Sequence, residues 1–418
     1  MRALVIAPQP FFSPRGTPFS VYYRTLVTSE LGVKIDLLTY GEGQDVNIPN
    51  VRIIRIPHFK IFGSIKVGPS YHKLFLDMFV IIWMIGLLLK NHYDFVHAHE
   101  EAVFFSRFLK PIFHFKLVYD MHSSLPQQLT NFQFTKSKLL IRFFETLEKS
   151  CLRSADSVIT ICPDLENYAN GLIQNRKKHL LIENSIFEPV KLISNANIRN
   201  TKGRCDSNQV RREIQLPQGK RFVVYAGTLE SYQGIDILIK AFKRVVSEIQ
   251  DAYLIVVGGA KAQVEFYYSL AERIGIKENI LFTGRVSQIL AKNYCKRASV
   301  LVSPRSEGTN TPLKIYEQLA SGIPLVATKI YSHTQVLNNE VAFLVKPEPD
   351  DMASGIIKAL DNSDDNFRIT ENAKNLYKQK YSRAIYTTKM RRVIEILKAS
   401  NDVPVTGCFS VQKKSSIG

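Results

Sequence analysis

At 418 residues the chain is too long for one ordinary hydrophobic core, so two domains are expected. Hydrophobic residues make up 45% and charged residues 22%, which excludes a disordered or fibrous chain. Basic residues number 55 against 37 acids, a net charge of +18, and this surplus is unevenly placed.

Residues 1–190 carry 21 basic against 16 acidic residues, and residues 221–375 are nearly balanced at 18 against 17. Two short segments, 191–220 with 7 against 2 and 376–418 with 9 against 2, hold most of the excess. A nucleic-acid enzyme concentrates positive charge over its cleft. Here the charge falls on a connecting segment and a C-terminal helix, which argues against nucleic acid and suits an anionic membrane surface or simple solubilisation. Five scattered cysteines (Cys151, Cys162, Cys205, Cys295 and Cys408) form no C-x-x-C pair. That points to a reducing compartment, with neither a disulfide framework nor a zinc site. Met1 runs straight into the strand-like "RALVIAP", so no secretory leader is expected and the cytoplasm is the expected location.

In chain order, β-rich runs occur at 3–7, 34–40, 51–56, 94–99, 116–122 and 157–162, separated by helical patterns. One greasy run, "MFVIIWMIGLLLK" (78–90), is too short in its uncharged part to span a bilayer and reads as a buried core helix, with a helix lying in the membrane interface as the alternative. Residues 193–220 are polar, basic and poor in apolar residues, as in an interdomain linker. A second series of strands follows at 221–227, 252–259, 279–284, 299–304, 324–328 and 341–345. The alternation predicts an α/β fold with two Rossmann-like doubly wound domains facing a cleft. The expected division is 1–192, the linker 193–220, 221–374, a helix over 375–400 packing back on the first domain, and a flexible tail 401–418.

Chemistry is expected in loops at strand carboxyl ends. "SPRSEGTNTPLKIYEQLASG" (303–322) places a polar loop, Arg305–Asn310, between a strand and a helix. Thr311 is expected at the N-cap, Pro312 at the first helical position, and Gly322 at the stop. Such a helix start seats phosphate. Lys314 in the first turn opposes the helix dipole unless an anion lies there. Glu317, one turn on, reaches sugar or ribose hydroxyls, and Glu307 faces whatever extends from the phosphate. The alternative is that both are solvated acids. A matching device, "FFSPRGTPFSV", follows the first strand, with Gly16 allowing close approach and Thr17–Pro18 starting a helix. His97 and His99 face one side of a strand beside Glu100, but lack a third ligand at telling spacing, so no metal site is expected. The aromatics of "EFYYSLAERIG" read as helix packing.

"VVYAGTLESYQGIDILIKAF", "LIVVGG", "FTGRVS", "SPRSEGTNTPLKIYEQLASGIPLVAT", "VHAHEE" and "YDMHSSLPQQ" stand in the order of a known family. They resemble glycosyltransferase family 4, with the GT-B fold, over nearly all of residues 1–398. The resemblance implies sugar transfer from a UDP- or GDP-linked sugar, with retention at the anomeric carbon and no metal or other cofactor. It implies an acceptor on the N-terminal side, taken here as an envelope glycan or lipid-linked molecule at the inner membrane face. In this family's pattern Glu317 matches the ribose-binding glutamate, and Glu307 the acid beside the donor sugar. His122 matches a histidine near the reacting centre, and Arg285 lies in the base-facing loop. Gly16, Gly227, Gly258 and Asn310 line the donor site in that pattern.

The pattern is departed from twice. The paired acids stand ten residues apart here, against the family's usual eight. Thr228 and Gln233 occupy the loop where an Arg/Lys pair usually clamps the diphosphate, so Lys314, with Arg305, is expected to replace that clamp. A catalytically inactive binding subunit and a nucleotide-sugar epimerase are the alternative readings.

Overall fold

The computed structural model describes residues 1–13, 16–58, 71–126, 137–190, 192–193, 216–361 and 363–399. Most of the expected linker and the whole of the expected tail lie outside the described residues. The first half runs β1 (Arg2–Ala7), α1 (Gly16–Glu30), β2 (Lys34–Thr39), β3 (Val51–Arg55), α2 (Tyr71–Lys90), β4 (Phe95–His99) and α3 (Ala102–Phe113). It continues with β5 (Lys116–Met121), α4 (Lys138–Ser154), β6 (Ser157–Thr160), α5 (Pro163–Leu172) and β7 (His179–Leu181). These seven strands form one parallel sheet in the order β3-β2-β1-β4-β5-β6-β7.

The second half runs β8 (Arg221–Ala226), α6 (Ile235–Glu248), β9 (Ala252–Val257), α7 (Lys261–Arg273), β10 (Ile280–Gly284), α8 (Gln288–Lys296) and β11 (Val300–Ser303). Then come α9 (Lys314–Ser321), β12 (Leu325–Thr328), α10 (Tyr331–Thr334), β13 (Phe343–Val345), α11 (Pro349–Leu360), α12 (Asp364–Leu376) and α13 (Arg383–Ala399). Its sheet, also parallel, has the order β10-β9-β8-β11-β12-β13. Both strand orders reverse beside the first strand of their half, the crevice where doubly wound sheets hold ligands.

The strands are buried on both faces, as parallel sheets between helical layers require. Each sheet therefore has two cores, one per face. β7 escaped the sequence reading because "HLL" is short and follows a run of cations. α2 departs from its expected burial. Leu76, Val80, Met84 and Leu88 are buried, but Leu74, Met78, Ile82 and Leu89 on other sides are half or more exposed.

α13 returns to the first half of the chain. Its Tyr386, Met390, Val393, Ile394 and Leu397 belong to the same core as α1 and β1. Lys389 Nζ meets Glu183 at 2.7 Å, and Arg383 meets Glu30 at 2.7 Å. Beneath them lies Arg24 of α1, fully buried, with its guanidinium 5.1 Å from the centre of the Tyr386 ring. Arg24 Nε donates to Asp120 Oδ2 at 2.9 Å and Nη2 donates to the Ile182 carbonyl at 2.6 Å. Removing one partner of a buried pair leaves the other charge uncompensated, which costs about 3–5 kcal/mol. Arg24→Ala is expected to lower the unfolding free energy by that amount, read as a lower first denaturant midpoint at unchanged slope; an unchanged midpoint would show that this pair does not hold the domain.

Candidate active site

One cleft of about 3430 Å³ opens between the two sheets and is lined by both halves of the chain. Among the sequence-predicted residues, Gly16, His122, Gly227, Thr228, Gln233, Gly258, Arg285, Arg305, Glu307, Asn310, Thr311, Lys314 and Glu317 all line it. They come from the loops and helix starts that follow β1, β5, β8, β9, β10 and β11, each at a strand's carboxyl end.

The loop after β11 is folded around its own arginine. Arg305 Nε donates to the Glu307 carbonyl at 2.6 Å, Nη1 donates to the Asn310 carbonyl at 3.0 Å, and the guanidinium lies 5.2 Å from the Tyr232 ring centre. Gly308 has φ +127°, and a Cβ there would lie 2.2 Å from Arg305 Nη2, so only glycine lets the arginine seat. Two of its N–H groups thus shape the loop, and the Glu307 side chain is left exposed to the cleft. Gly258 is a second tight point. Its φ is +118°, and a Cβ would lie 2.0 Å from the Gly227 carbonyl oxygen, so the turns after β8 and β9 close on each other.

The expected Thr311 cap is not formed. α9 begins at Lys314 with Leu313 at its N-cap and no side-chain capping bond. Pro312 and Ile315 instead close a tight turn, with the Ile315 N–H donating to the Pro312 carbonyl at 3.0 Å. Proline cannot donate and fixes φ, so it starts this turn two residues before the helix. Gly322 ends the helix in the left-handed conformation, at φ +73°.

Lys314 is the unusual residue of the site. Its Nζ is buried, donates to no partner among the described residues, and sits 4.1 Å from the centre of the Tyr225 ring. Burial and the nearby Arg305 push its pKa down to about 7, against a small opposing pull from Cys295. Burial likewise pushes Glu317 up to about 7, with Lys292 acting the other way. Gln233, on the loop where a cation was expected, accepts from the Tyr225 hydroxyl at 3.4 Å, and that hydroxyl also donates to the Thr228 carbonyl at 2.6 Å. Tyr225 thus ties the two uncharged loop residues to the platform under Lys314. Sequence reasoning missed it because its ring is buried inside a strand.

The other wall of the cleft is built on buried polar groups. Asp120 takes hydrogen bonds from Arg24 and, at 3.0 Å, shares one with His97 Nε2. His99 Nδ1 lies 3.1 Å from His122 Nε2, and His122 Nδ1 is buried without a partner among the described residues. Burial, reinforced by Arg24 and His97, outweighs the attraction of Asp120 and holds His122 neutral, at about 4. His97, His99 and Asp120 bring ligand atoms within 4.8 Å of one another. The Arg24 guanidinium already occupies Asp120, however, and a cation in contact opposes a metal there. Asn310, expected on the donor, lines the cleft and also bridges the halves: its Nδ2 donates to the His122 carbonyl at 3.1 Å. Further out, Lys73, Asp77, Glu100 and Glu101 line the N-terminal side of the cleft. Lys73 pairs with Glu101 at 3.1 Å, and the Tyr40 hydroxyl donates to Asp77 at 2.6 Å. Asp77, a lone acid within an apolar helix, was the sequence signal that went unread.

Two family models cover the chain in succession: "Glycosyltransferase Family 4" over residues 21–186 and "Glycosyl transferases group 1" over residues 206–376. The chain is a family 4-type glycosyltransferase. An uncharacterised glycosyltransferase of Methanocaldococcus jannaschii is 25% identical over 84% of each chain. A phosphatidyl-myo-inositol mannosyltransferase of Mycobacterium tuberculosis is 23% identical, over 96% of this chain and 98% of its own. Among solved structures, sucrose-phosphate synthase of Thermosynechococcus elongatus superposes with a TM-score of 0.73 at 19% identity, covering 96% and 99% of the two chains. Anabaena HepE in complex with UDP-glucose gives 0.66 at 16%, over 96% and 100%. The two facing sheets of this glycosyltransferase are thus the GT-B fold.

A buried, unpartnered cation costs folding energy that an apolar side chain of similar volume avoids. Because the folded Lys314 titrates near 7, below the ordinary lysine value of about 10.4, this cost is fully present below pH 7. It fades as pH rises through the interval up to the unfolded value. Lys314→Met is therefore expected to stabilise the ligand-free protein by about 1–4 kcal/mol at pH 6 and by much less near pH 10. A melting series across that range checks it; a destabilised variant at pH 6 would contradict the unpaired charge.

Proposed function

We propose that the glycosyltransferase moves a hexosyl group from a nucleotide-diphosphate sugar to an acceptor hydroxyl, with retention of anomeric configuration. The observation that carries this reading is the buried Lys314 amine, which meets no anion among the described residues while Arg305 stands close enough to depress its pKa. A diphosphate seated at the start of α9 completes both cations. Its leaving charge is then met by Lys314 and Arg305, the role that an Arg/Lys pair or a metal ion otherwise fills. Glu317 faces the nucleotide ribose as a hydrogen-bond acceptor, and Arg285 the base. A UDP-linked donor is the first choice, because HepE, of the same fold, binds UDP-glucose.

In the transfer, the bond between the anomeric carbon and the donor phosphate oxygen breaks while the acceptor oxygen bonds to that carbon on the same face. The acceptor proton passes to the departing phosphate oxygen, so no separate general base is required. His122, kept neutral by burial, offers Nδ1 to a sugar hydroxyl near the reacting centre. Glu307 lies beside the donor sugar. The acceptor enters from the N-terminal side, and we place the protein at the cytoplasmic face of a membrane, working on an envelope glycan or lipid-linked acceptor.

Calorimetric titration with UDP and UDP-glucose tests the donor site. Glu317→Ala is expected to weaken binding by about tenfold or more, as loss of hydrogen bonds to a charged acceptor implies. Lys314→Ala is expected to lower turnover by about 10²-fold and affinity by much less, because its charge is called on most as the phosphate departs. Binding without turnover for any acceptor would favour an inactive binding subunit. Sugar rearrangement of the donor alone would make the protein an epimerase.

A further inference from the structure

α2 is apolar on two faces, and the fold accounts for one. Leu76, Val80, Met84 and Leu88, spaced four residues apart, enter the N-terminal core. Away from that core Leu74, Met78, Ile82 and Leu89 are 62%, 50%, 54% and 72% exposed. The helix is long and apolar enough to cross a membrane by length and composition, yet only 22% of that stretch is buried. The neighbouring helices extend the surface: Phe108 and Ile112 of α3, and Leu139, Leu140 and Phe143 of α4, are exposed as well. α2 packs on α3, and α3 on α4, with Phe104 against Phe144 at 6.3 Å between them. Scattered surface hydrophobics are ordinary, but a contiguous face of this size marks an interaction site.

The face also runs into the cleft. Leu74, Met78, Phe108 and Leu140 are exposed on it and line the cleft at the same time.

Charge selects the occupant. Across α2, α3 and α4 there are 8 basic and 3 acidic residues. Glu148 is fully buried and Asp77 faces the cleft, while Lys73 also faces the cleft and Lys110 is paired with Asp156, so six basic residues stand against one acid over the rest of these helices. Exposed Leu, Ile and Phe among lysines and arginines match a surface of anionic lipid, which takes the apolar side chains and the charges together. A second copy related by a two-fold axis would set two positive faces against each other.

We propose that the α2–α3–α4 face docks on an anionic lipid bilayer, and that the acceptor is a membrane lipid whose hydroxylated head group enters the cleft past Met78 and Phe108 while its hydrocarbon remains with the bilayer. The acceptor half of this inference rests on the glycosyl-transfer reading; the docking half stands without it.

Flotation of the full chain with phosphatidylcholine vesicles, with and without about 30% phosphatidylglycerol, tests it. Binding is expected on the anionic vesicles, weakening as salt is raised. The quadruple variant Ile82→Ser/Leu89→Ser/Ile112→Ser/Phe143→Ser is expected to lose at least about tenfold in partitioning with its melting temperature retained, because all four side chains are already in water. None of the four lines the cleft, so UDP affinity is expected to be unchanged. Failure of the wild type to bind anionic vesicles, or equal binding by the variant, would overturn the docking. Self-association by light scattering that the variant abolishes, without vesicle binding, would overturn it in favour of a second copy. Vesicle binding by a protein that takes up no nucleotide would overturn the acceptor half and the transfer reading, while leaving the docking in place.

Discussion

The site is organised by one unmet electrostatic demand. Lys314 is held in a buried position on the ring of Tyr225, close to Arg305, with no carboxylate among the described residues to answer it. A protein bears the cost of an uncompensated buried cation when the compensating charge arrives with a ligand, and that cost is what makes the site selective for an anion. The surrounding geometry serves the same end. Gly308 lets Arg305 fold its own loop, Tyr225 anchors the neighbouring Thr228–Gln233 loop, and α9 turns its N-terminus toward the cleft.

A second buried charge does the opposite work on the facing wall. Arg24 and Asp120 are paired through Nε and Oδ2, and around them are gathered His97, His99, Tyr386 and the Ile182 carbonyl. This group fixes α13 against the N-terminal sheet and orients His122, whose carbonyl in turn receives Asn310 from across the cleft. The paired charges are structural and lie outside the cleft lining, whereas Lys314 lines the cleft.

The sequence made the architecture legible because parallel strands buried on both faces read as unbroken apolar runs, and their punctuation by Gly-containing loops located the cleft. It also located the loop after β11, since Gly, Thr-Pro and Lys at a strand end are a local signal. Three features could not be read, the first because two local preferences compete and the others because they are not local. The Thr311 cap was inferred from residue preference, but the Pro312 turn displaced the helix start to Lys314. The buried environment of Lys314 depends on Tyr225, ninety residues earlier in the chain, and Arg24–Asp120 pairing spans a comparable distance. The two-faced character of α2 depends on which of its apolar residues the core consumes, and periodicity in a uniformly apolar helix does not report that.

Proton linkage tests the central claim most directly. With its pKa near 7 in the empty cleft, Lys314 is mostly neutral at pH 8, and a diphosphate beside it restores the ammonium. Titration of UDP at pH 8 in two buffers of different ionisation enthalpy is predicted to show uptake approaching one proton, lost in Lys314→Met. UDP binding with no net proton uptake in the wild type, or the same uptake in the variant, would contradict the assignment of Lys314 as the cation that receives the diphosphate.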